Sequence, residues 1–138
     1  MSATATNQLI ETYYRTFNTG AREAFLALLT EDVVHGINQG EEQRGRELFR
    51  AFLARMDHCY REEIRDVVVM VSHDASRAAA EFVVHGTYLN TDEGLPAARG
   101  QRYILPAGAF FTIRDGKIAR ISNYYNLPEW TRQVGGGV

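Results

Sequence analysis

The chain has 138 residues, 45% of them hydrophobic and 23% charged, and a formal net charge of −2 with acids and bases interleaved. This balance argues against a nucleic-acid partner or an anionic membrane surface, and no apolar run reaches the roughly 20 residues of a membrane span. The single cysteine, Cys59, rules out an internal disulfide and predicts a reducing, cytoplasmic compartment. Because about 100–150 residues is the commonest domain size, we expect one domain over residues 1–138, with flexible ends at 1–6 and 134–138.

The first half of the chain predicts three helices and one strand. Apolar residues recur at helical spacing over residues 9–17, and Gly20 then supplies a left-handed C-cap. A second, short helix is expected to begin near Ala21, and the β-branched stretch 33–38 predicts the first strand. The apolar stripe over residues 48–56 marks the longest and most amphipathic helix.

The second half predicts an antiparallel meander. Four runs with a period of two follow residue 62, separated by HDAS, by a long loop around NTDEGLPAARG, and by the tight turn RDGK. Pro106 cannot donate to a ladder, which predicts an edge or a bulge in a bent sheet. The segment NLPEWTRQV predicts a short closing helix with Pro128 in its first turn. The expected fold is therefore an α+β cone, in which a curved sheet encloses a hollow against the helices.

Three motifs extend this interpretation to a family. YYRTFNTG, LLTEDVVHGINQG and FFTIRDGKIARISNYYN follow one another along almost the whole chain. In this combination the chain resembles the ketosteroid-isomerase-like and SnoaL-like families of the nuclear transport factor 2 (NTF2-like) superfamily, and most closely their ketosteroid-isomerase-related subgroup. The resemblance implies an NTF2-like cone, with a curved mixed or antiparallel sheet packed on three N-terminal helices and a short C-terminal helix. It also implies a homodimer formed through the sheet.

The catalytic groups of that family are only partly present. Ketosteroid isomerases take a proton beside a ketone with an aspartate, and hold the enolate with a tyrosine and a protonated aspartate. The resemblance places Tyr13 on the tyrosine position, Ile37 or Asn38 on the base position, and Ala109 on the second aspartate position. Limonene epoxide hydrolases have a DYFD pattern where this chain has NYYN, beginning at Asn123. An amide cannot exchange a proton near neutral pH, so neither mechanism transfers directly.

His35 is the sequence's candidate for a replacement base. Strand alternation places it on the same side as Val33 and Ile37, which is the cavity side if the resemblance holds. An imidazole has a suitable pKa for a general base, and a pH profile would then inflect near ~6–7. The alternative is a core histidine satisfied by hydrogen bonds. We predict that His35 and Tyr13 are the catalytic residues.

Seven further side chains are predicted to contact a substrate. Asn123 and Tyr125 share a strand face with Ile121, whereas Asn38 has an alternative role in the turn beside QGEE. The aromatic residues and the methionine of the set have an alternative role as plain core. The predicted substrate-binding residues are Phe17, Asn38, Phe52, Met56, Asn123, Tyr125 and Trp130.

No metal or cofactor is expected. The four histidines include no i, i+4 pair, and no GxGxxG or P-loop pattern occurs. The sequence therefore predicts a cofactor-free isomerase- or cyclase-like enzyme that acts on a small hydrophobic carbonyl compound. The alternative is a non-catalytic module of the same fold that binds a small molecule or forms a dimer.

Overall fold

The computed structural model describes residues 1–135 as four helices and six strands. In chain order they are α1 (Ala3–Thr19), α2 (Arg22–Leu26), β1 (Leu29–Ile37), β2 (Glu42–Arg44), α3 (Arg46–Cys59), β3 (Tyr60–Val71), β4 (Arg77–Tyr88), β5 (Arg102–Arg114), β6 (Lys117–Tyr125) and α4 (Leu127–Gly135). The predicted α+β order of elements is confirmed, with β2 as an additional strand. The longest helix is α1, with 17 residues, and not α3, with 14, as the sequence predicted. None of the described helices is long and apolar enough to cross a membrane.

The six strands form one mixed sheet in the order β2-β1-β6-β5-β4-β3. β3 to β6 are the predicted antiparallel meander, and β1 runs parallel to β6. β2 lies in a segment that the sequence predicted to be a turn. Its three residues are polar and pair only with β1, from Val34 opposite Arg44 to Gly36 opposite Glu42. A polar edge strand of this length carries no alternation of apolar residues by which it could be recognised.

Register shifts bend the sheet around its core. They interrupt the ladder of β3 between Arg65 and Val68, the ladder of β1 between Leu29 and Val34, and the ladder of β5 between Thr112 and Ile113. An extra residue in one strand bends that strand and increases its twist. The two edge strands do not pair with each other, so the sheet stays open, and α1 and α3 pack against it.

The N-terminal segment is more ordered than the sequence suggested. α1 begins at Ala3 because the Ser2 hydroxyl accepts a hydrogen bond from the Ala5 amide at 3.0 Å. The hydroxyl of Thr6 is buried and donates to the Ala75 carbonyl at 2.8 Å. Most of the segment 1–6 that was expected to be flexible is therefore helical. At the other end, Val134 is fully buried in α4, and residues 136–138 of the predicted flexible segment lie outside the described residues.

Pro106 stands in an inner strand rather than at a sheet edge. It pairs with Val83 of β4 without a register shift. β6, however, ends opposite Ala107, so Pro106 has a neighbouring strand on one side only. Beyond that point α4 replaces the missing strand, because the Gln133 side chain accepts from the Ile104 amide at 2.9 Å and donates to its carbonyl at 2.8 Å. The prediction of a locally unpaired backbone is thus correct for one side of the strand.

A close contact inside the sheet joins three neighbouring strands. Glu62 of β3 lies opposite Gly86 of β4, and Gly86 lies opposite Tyr103 of β5. The Tyr103 ring covers Gly86, since a Cβ added there would lie 2.2 Å from the ring Cζ. The absence of a side chain at Gly86 therefore lets Tyr103 reach across β4 to Glu62.

We expect Gly86→Ala to lower the free energy of unfolding by about 1–3 kcal/mol, because overpacking a filled position costs that much. Urea denaturation of the variant and the wild type measures the difference. Gly108→Ala is the matched control, since its added Cβ meets the Ala80 carbonyl at 3.3 Å and a smaller loss is expected. Equal stability of Gly86→Ala and the wild type would contradict the contact.

Candidate functional site

A cavity of about 220 Å³ lies between the concave face of the sheet and the helices. Its walls are mostly aromatic and aliphatic, with Phe17 from α1, Phe52 and Met56 from α3, and Leu105 and Ala107 from β5. Apolar walls with a few convergent polar groups are typical of small-molecule sites. Polar side chains enter this cavity in two groups, one on β1 and β6 and the other on β3 and β5.

The first polar group is His35 with Asn123. His35 is 2% exposed, stacks on Phe49 at 4.3 Å between ring centroids, and meets the edge of Phe52 at 4.7 Å. Its Nε2 lies 3.3 Å from the amide nitrogen of Asn123. Burial among these rings lowers the pKa of His35 from 6.5 to about 4. The inflection near pH 6–7 that the sequence suggested for this residue is therefore not supported.

The contact with Asn123 also bears on which ring nitrogen of His35 carries the proton. If the Asn123 amide donates to Nε2, neutral His35 carries its proton on Nδ1. Among the described residues, neither His35 Nδ1 nor the buried Tyr14 hydroxyl has a hydrogen-bond partner. An unmade hydrogen bond of a buried group costs about 1–3 kcal/mol, so polar atoms of this kind are typical of functional sites.

Tyr13 lies on the cavity wall, where its ring meets Phe25 at 4.5 Å and Tyr14 at 5.0 Å between centroids. Burial raises the pKa of Tyr13 well above 10, so its hydroxyl stays protonated and able to donate. Tyr14 lines the same cavity, and burial raises its pKa as well. The sequence singled out Tyr13 by resemblance, whereas the structure places both tyrosines on the cavity wall.

The second polar group was missed by the sequence analysis. The Tyr103 hydroxyl donates to Oε2 of Glu62 at 2.5 Å, and both side chains line the cavity. Tyr103 is 2% exposed, while Glu62 is half-buried. Burial raises the pKa of the Glu62 carboxyl, although the hydrogen bond from Tyr103 and the charge of Arg22 act in the opposite direction.

A second tyrosine–carboxylate pair lies beside the first. The Tyr60 hydroxyl donates to Asp92 at 2.8 Å, and the Asp92 side chain is only 12% exposed. Trp130 of α4 packs against Tyr60, Tyr88 and Tyr103, with ring centroids 5.0 to 6.0 Å apart. This aromatic cluster surrounds the end of the cavity at which Glu62 lies.

The position of Glu62 could have been read from strand alternation. Tyr60 and Ile64 are buried on the same side of β3 as Glu62, which makes a carboxylate on an otherwise apolar face. The sequence analysis placed the start of this strand after Tyr60 and therefore did not see that pattern. Glu62 and Tyr103 are also 41 residues apart, so their contact depends on the strand order.

Six of the seven predicted substrate-binding residues line the cavity: Phe17, Phe52, Met56, Asn123, Tyr125 and Trp130. Asn38 is the exception: it does not line the cavity, and the structure does not support its predicted contact with a substrate. Its φ of 49° places it in a turn, and its side-chain oxygen accepts from the Tyr125 amide at 2.9 Å. The turn role that the sequence left open is therefore the one that the structure supports. Within residues 1–135, no three His, Cys, Asp or Glu side chains form a group suited to a metal ion.

The buried state of His35 makes stability depend on pH. The unfolded chain has a histidine pKa near 6.5 and the folded chain has one of about 4, so the unfolded state takes up the proton first as the pH falls. We expect the free energy of unfolding to decrease by about 2 kcal/mol between pH 7 and pH 5 from this residue alone. Urea denaturation at both pH values measures this decrease.

In His35→Gln the decrease between the two pH values should be smaller by that amount. His85→Gln is the matched control, because His85 lies on the opposite face of the sheet and the full decrease should remain. The same decrease in His35→Gln and in the wild type would contradict the buried neutral imidazole.

Comparisons with known proteins agree with this architecture. Residues 10–121 match the model of the SnoaL-like domain family. The crystal structure of a proposed polyketide cyclase from Pseudomonas putida KT2440 is 60% identical, with a TM-score of 0.92 and coverage of 97% of this chain and 98% of that one. A similar proposed cyclase from Xanthomonas campestris pv. campestris is 52% identical, with a TM-score of 0.92 and coverage of 96% and 98%.

A more distant structure shows the fold alone. An NTF2-like protein from Burkholderia xenovorans LB400 is 15% identical, with a TM-score of 0.76 and coverage of 97% of this chain and 98% of that one. No curated protein sequence matches the chain. The NTF2-like cone that the resemblance implied is confirmed, and the match over most of the chain shows that this protein belongs to the SnoaL-like domain family.

Proposed function

We propose that this protein is a cofactor-free enzyme of isomerase or cyclase type that acts on a small hydrophobic carbonyl compound. The observation that carries the proposal is the composition of the cavity. Its walls are apolar along most of their length, and its polar groups include hydrogen-bond donors and one carboxyl group with a raised pKa. Such a cavity favours an apolar substrate whose carbonyl oxygen gains negative charge during the reaction.

The first polar group, His35 with Asn123, is suited to hold that oxygen together with Tyr13 of α1. The Asn123 amide and the Tyr13 hydroxyl are donors that do not titrate near neutral pH, and neutral His35 carries one further N–H. Donors held in an apolar cavity stabilise a developing oxyanion more strongly than water does. Because protonation of His35 is disfavoured by burial, we assign it this role of donor rather than the role of general base.

The relatives support the same reaction class. Two relatives, 60% and 52% identical to this chain, are described as proposed polyketide cyclases. We propose that a cyclisation, like an isomerisation, would proceed through an enolate, which needs the same oxyanion donors. We also propose a cytoplasmic location, with Cys59 as a buried free thiol.

A binding module is the alternative. The absence of carboxylates at both aspartate positions of ketosteroid isomerases favours it, since the resemblance places Ile37 or Asn38 on the first position and Ala109 on the second. A binding module would take up an apolar ligand in the same cavity without moving a proton.

Hydrogen exchange on a ketone distinguishes an enzyme from a binding module. We expect the protein to accelerate exchange of the α-hydrogens of 2-tetralone in D₂O, because enolisation is the first step of either proposed reaction. Proton NMR of the ketone measures the rate against a protein-free sample. Quenching of the fluorescence of Trp130, the single tryptophan of the chain, measures binding in the same samples.

Ala107→Phe should fill the cavity and reduce both binding and exchange by about tenfold or more, as loss of a few apolar contacts does. Ala51→Phe is the control, because Ala51 is exposed on α3. Binding without accelerated exchange would support the binding module and overturn the enzyme. Exchange that is unaffected by Ala107→Phe would place the reaction elsewhere.

We further propose that two copies pair through the outer face of the sheet. Large apolar side chains are exposed on this face, on rows that cross β3, β4 and β5. They are Val68, Met70, Ile104 and Phe110, each more than half exposed in one chain. Several large apolar side chains exposed on one sheet face are typical of an interaction surface, and a two-fold interface would cover them.

Light scattering should therefore give twice the chain mass of 15.6 kDa. Phe110→Asp is expected to produce monomers, because it replaces one of these exposed apolar side chains with a charge. Leu48→Asp serves as the control, since Leu48 is 50% exposed on α3 away from the sheet face. A monomeric wild-type protein would contradict the interface.

A further inference from the structure

We propose that Glu62 is the proton carrier of this enzyme and that Tyr103 holds its carboxyl group in position. The inference rests on the proposed function and assigns the base that the missing aspartates leave open. Three observations carry it: the contact with Tyr103, which leaves one carboxylate oxygen free, the location of Glu62 between the cavity and a surface cleft, and the burial of its carboxyl group.

The contact with Tyr103 fixes one oxygen of Glu62 and leaves the other available. Tyr103 donates to Oε2 at 2.5 Å, across Gly86 of the intervening strand. Oε1 makes no hydrogen bond to any other residue in the described part of the chain. A carboxylate with one oxygen anchored and one free on a cavity wall is oriented for proton transfer, since a base must be in hydrogen-bond reach of the proton it takes.

Glu62 also lies between the cavity and the protein surface. Besides the cavity, it lines a surface cleft formed by the C-terminal end of α1, the start of α2 and the start of β3. The cleft is polar, with Asn18, Arg22, Asp57 and Arg61 on its walls. Because Glu62 lines both the cavity and the surface cleft, its carboxyl group can take a proton from a substrate and exchange it with solvent. His35, by contrast, is enclosed by Phe49 and Phe52.

Burial, and not a neighbouring charge, keeps the proton affinity of Glu62 high. Burial is the largest influence and raises the pKa of the carboxyl, and the phenol of Tyr125 on β6 lies on the same cavity wall. Arg22 on α2 acts against this effect, but its guanidinium is paired with Asp57 through two contacts of 2.6 and 2.9 Å. Tyr103 on β5 stabilises the carboxylate form through its hydrogen bond. A carboxyl group with a raised pKa and one free oxygen can serve first as acceptor and then as donor of a proton.

The proposed step conserves atoms and charge. Oε1 of the Glu62 carboxylate forms a bond to the α-hydrogen, the C–H electron pair becomes the enolate double bond, and the carbonyl π pair moves to oxygen. In an isomerisation the neutral carboxyl returns the proton to a different carbon, and the carbonyl reforms. In a cyclisation the enolate carbon attacks a second carbonyl of the same molecule, and the new alkoxide takes the proton from Glu62.

Exchange of 2-tetralone in D₂O tests the assignment with Glu62→Gln. The amide has the same shape but accepts no proton, so we expect kcat/KM for exchange to fall by about 10²–10⁴-fold. Glu63→Gln is the matched control, because Glu63 is the next residue of β3, exposed and paired with Arg65 on the opposite face. Its rate should equal that of the wild type. Thermal unfolding and Trp130 fluorescence check that both variants fold and bind the ketone.

The pH profile separates a proton carrier from a structural residue. The wild-type rate should fall on the acid side with an apparent pKa above the ordinary value of about 4.3 for glutamate, and Glu62→Asp should keep this limb at a reduced rate. Tyr103→Phe should move the limb to higher pH, because its hydrogen bond lowers the pKa of Glu62.

The outcomes distinguish this assignment from the proposed function. Exchange by Glu62→Gln within about twofold of the wild type, well short of the loss expected for a general base, would overturn the role of Glu62 and leave the enzyme standing. An acid limb that stays in place in Tyr103→Phe would remove Tyr103 as the positioning residue. No exchange by the wild-type protein would overturn the proposed function and the assignment of Glu62 together.

Discussion

Removal of water from polar side chains inside the cone is the constraint on which the site depends. The same burial acts in opposite directions on the two kinds of group: it lowers the pKa of His35 and raises that of Glu62 and of the cavity tyrosines. At neutral pH it therefore leaves an uncharged imidazole and protonated phenols as hydrogen-bond donors. Of these groups, only the Glu62 carboxyl has its pKa shifted toward neutral pH.

The sheet provides these positions through its register rather than through local motifs. Glu62, Gly86 and Tyr103 lie in one row across three strands, and Ile37 and Asn123 lie side by side on β1 and β6. A shift of one residue in any of these ladders would turn the side chains of that strand to the other face. The strand pairing that stabilises the sheet therefore also sets the distances in the site. At Gly86, for example, the absence of a side chain allows both the packing of Tyr103 on β4 and its contact with Glu62.

Periodicity predicted much of the fold, since the helical stripe of α3 and the four long strands each show a pattern that is independent of distant residues. Strand alternation placed His35 on the same face of β1 as Val33 and Ile37, but only the resemblance identified that face as the cavity side. The pair of Glu62 and Tyr103 could not be predicted, because it depends on which strand neighbours which. Asn38 shows the converse problem: the fit of an asparagine to a left-handed turn and to a substrate contact are equally visible in a sequence, and only backbone geometry decides.

The replacement of a strand by α4 affects how the cavity can open. Gln133 supplies the two bonds to Ile104 that a further strand would have supplied, and Trp130 is inserted among the tyrosines at that end. Release of this helix would break these two bonds and the bond from the Gln101 side chain to the Val134 carbonyl, at about 0.5–1.5 kcal/mol each. It would also expose Trp130 and Val134, without separating any pair of strands. The C-terminal helix is therefore a part of the wall around Trp130 that is joined to the sheet by side chains and not by strand pairing.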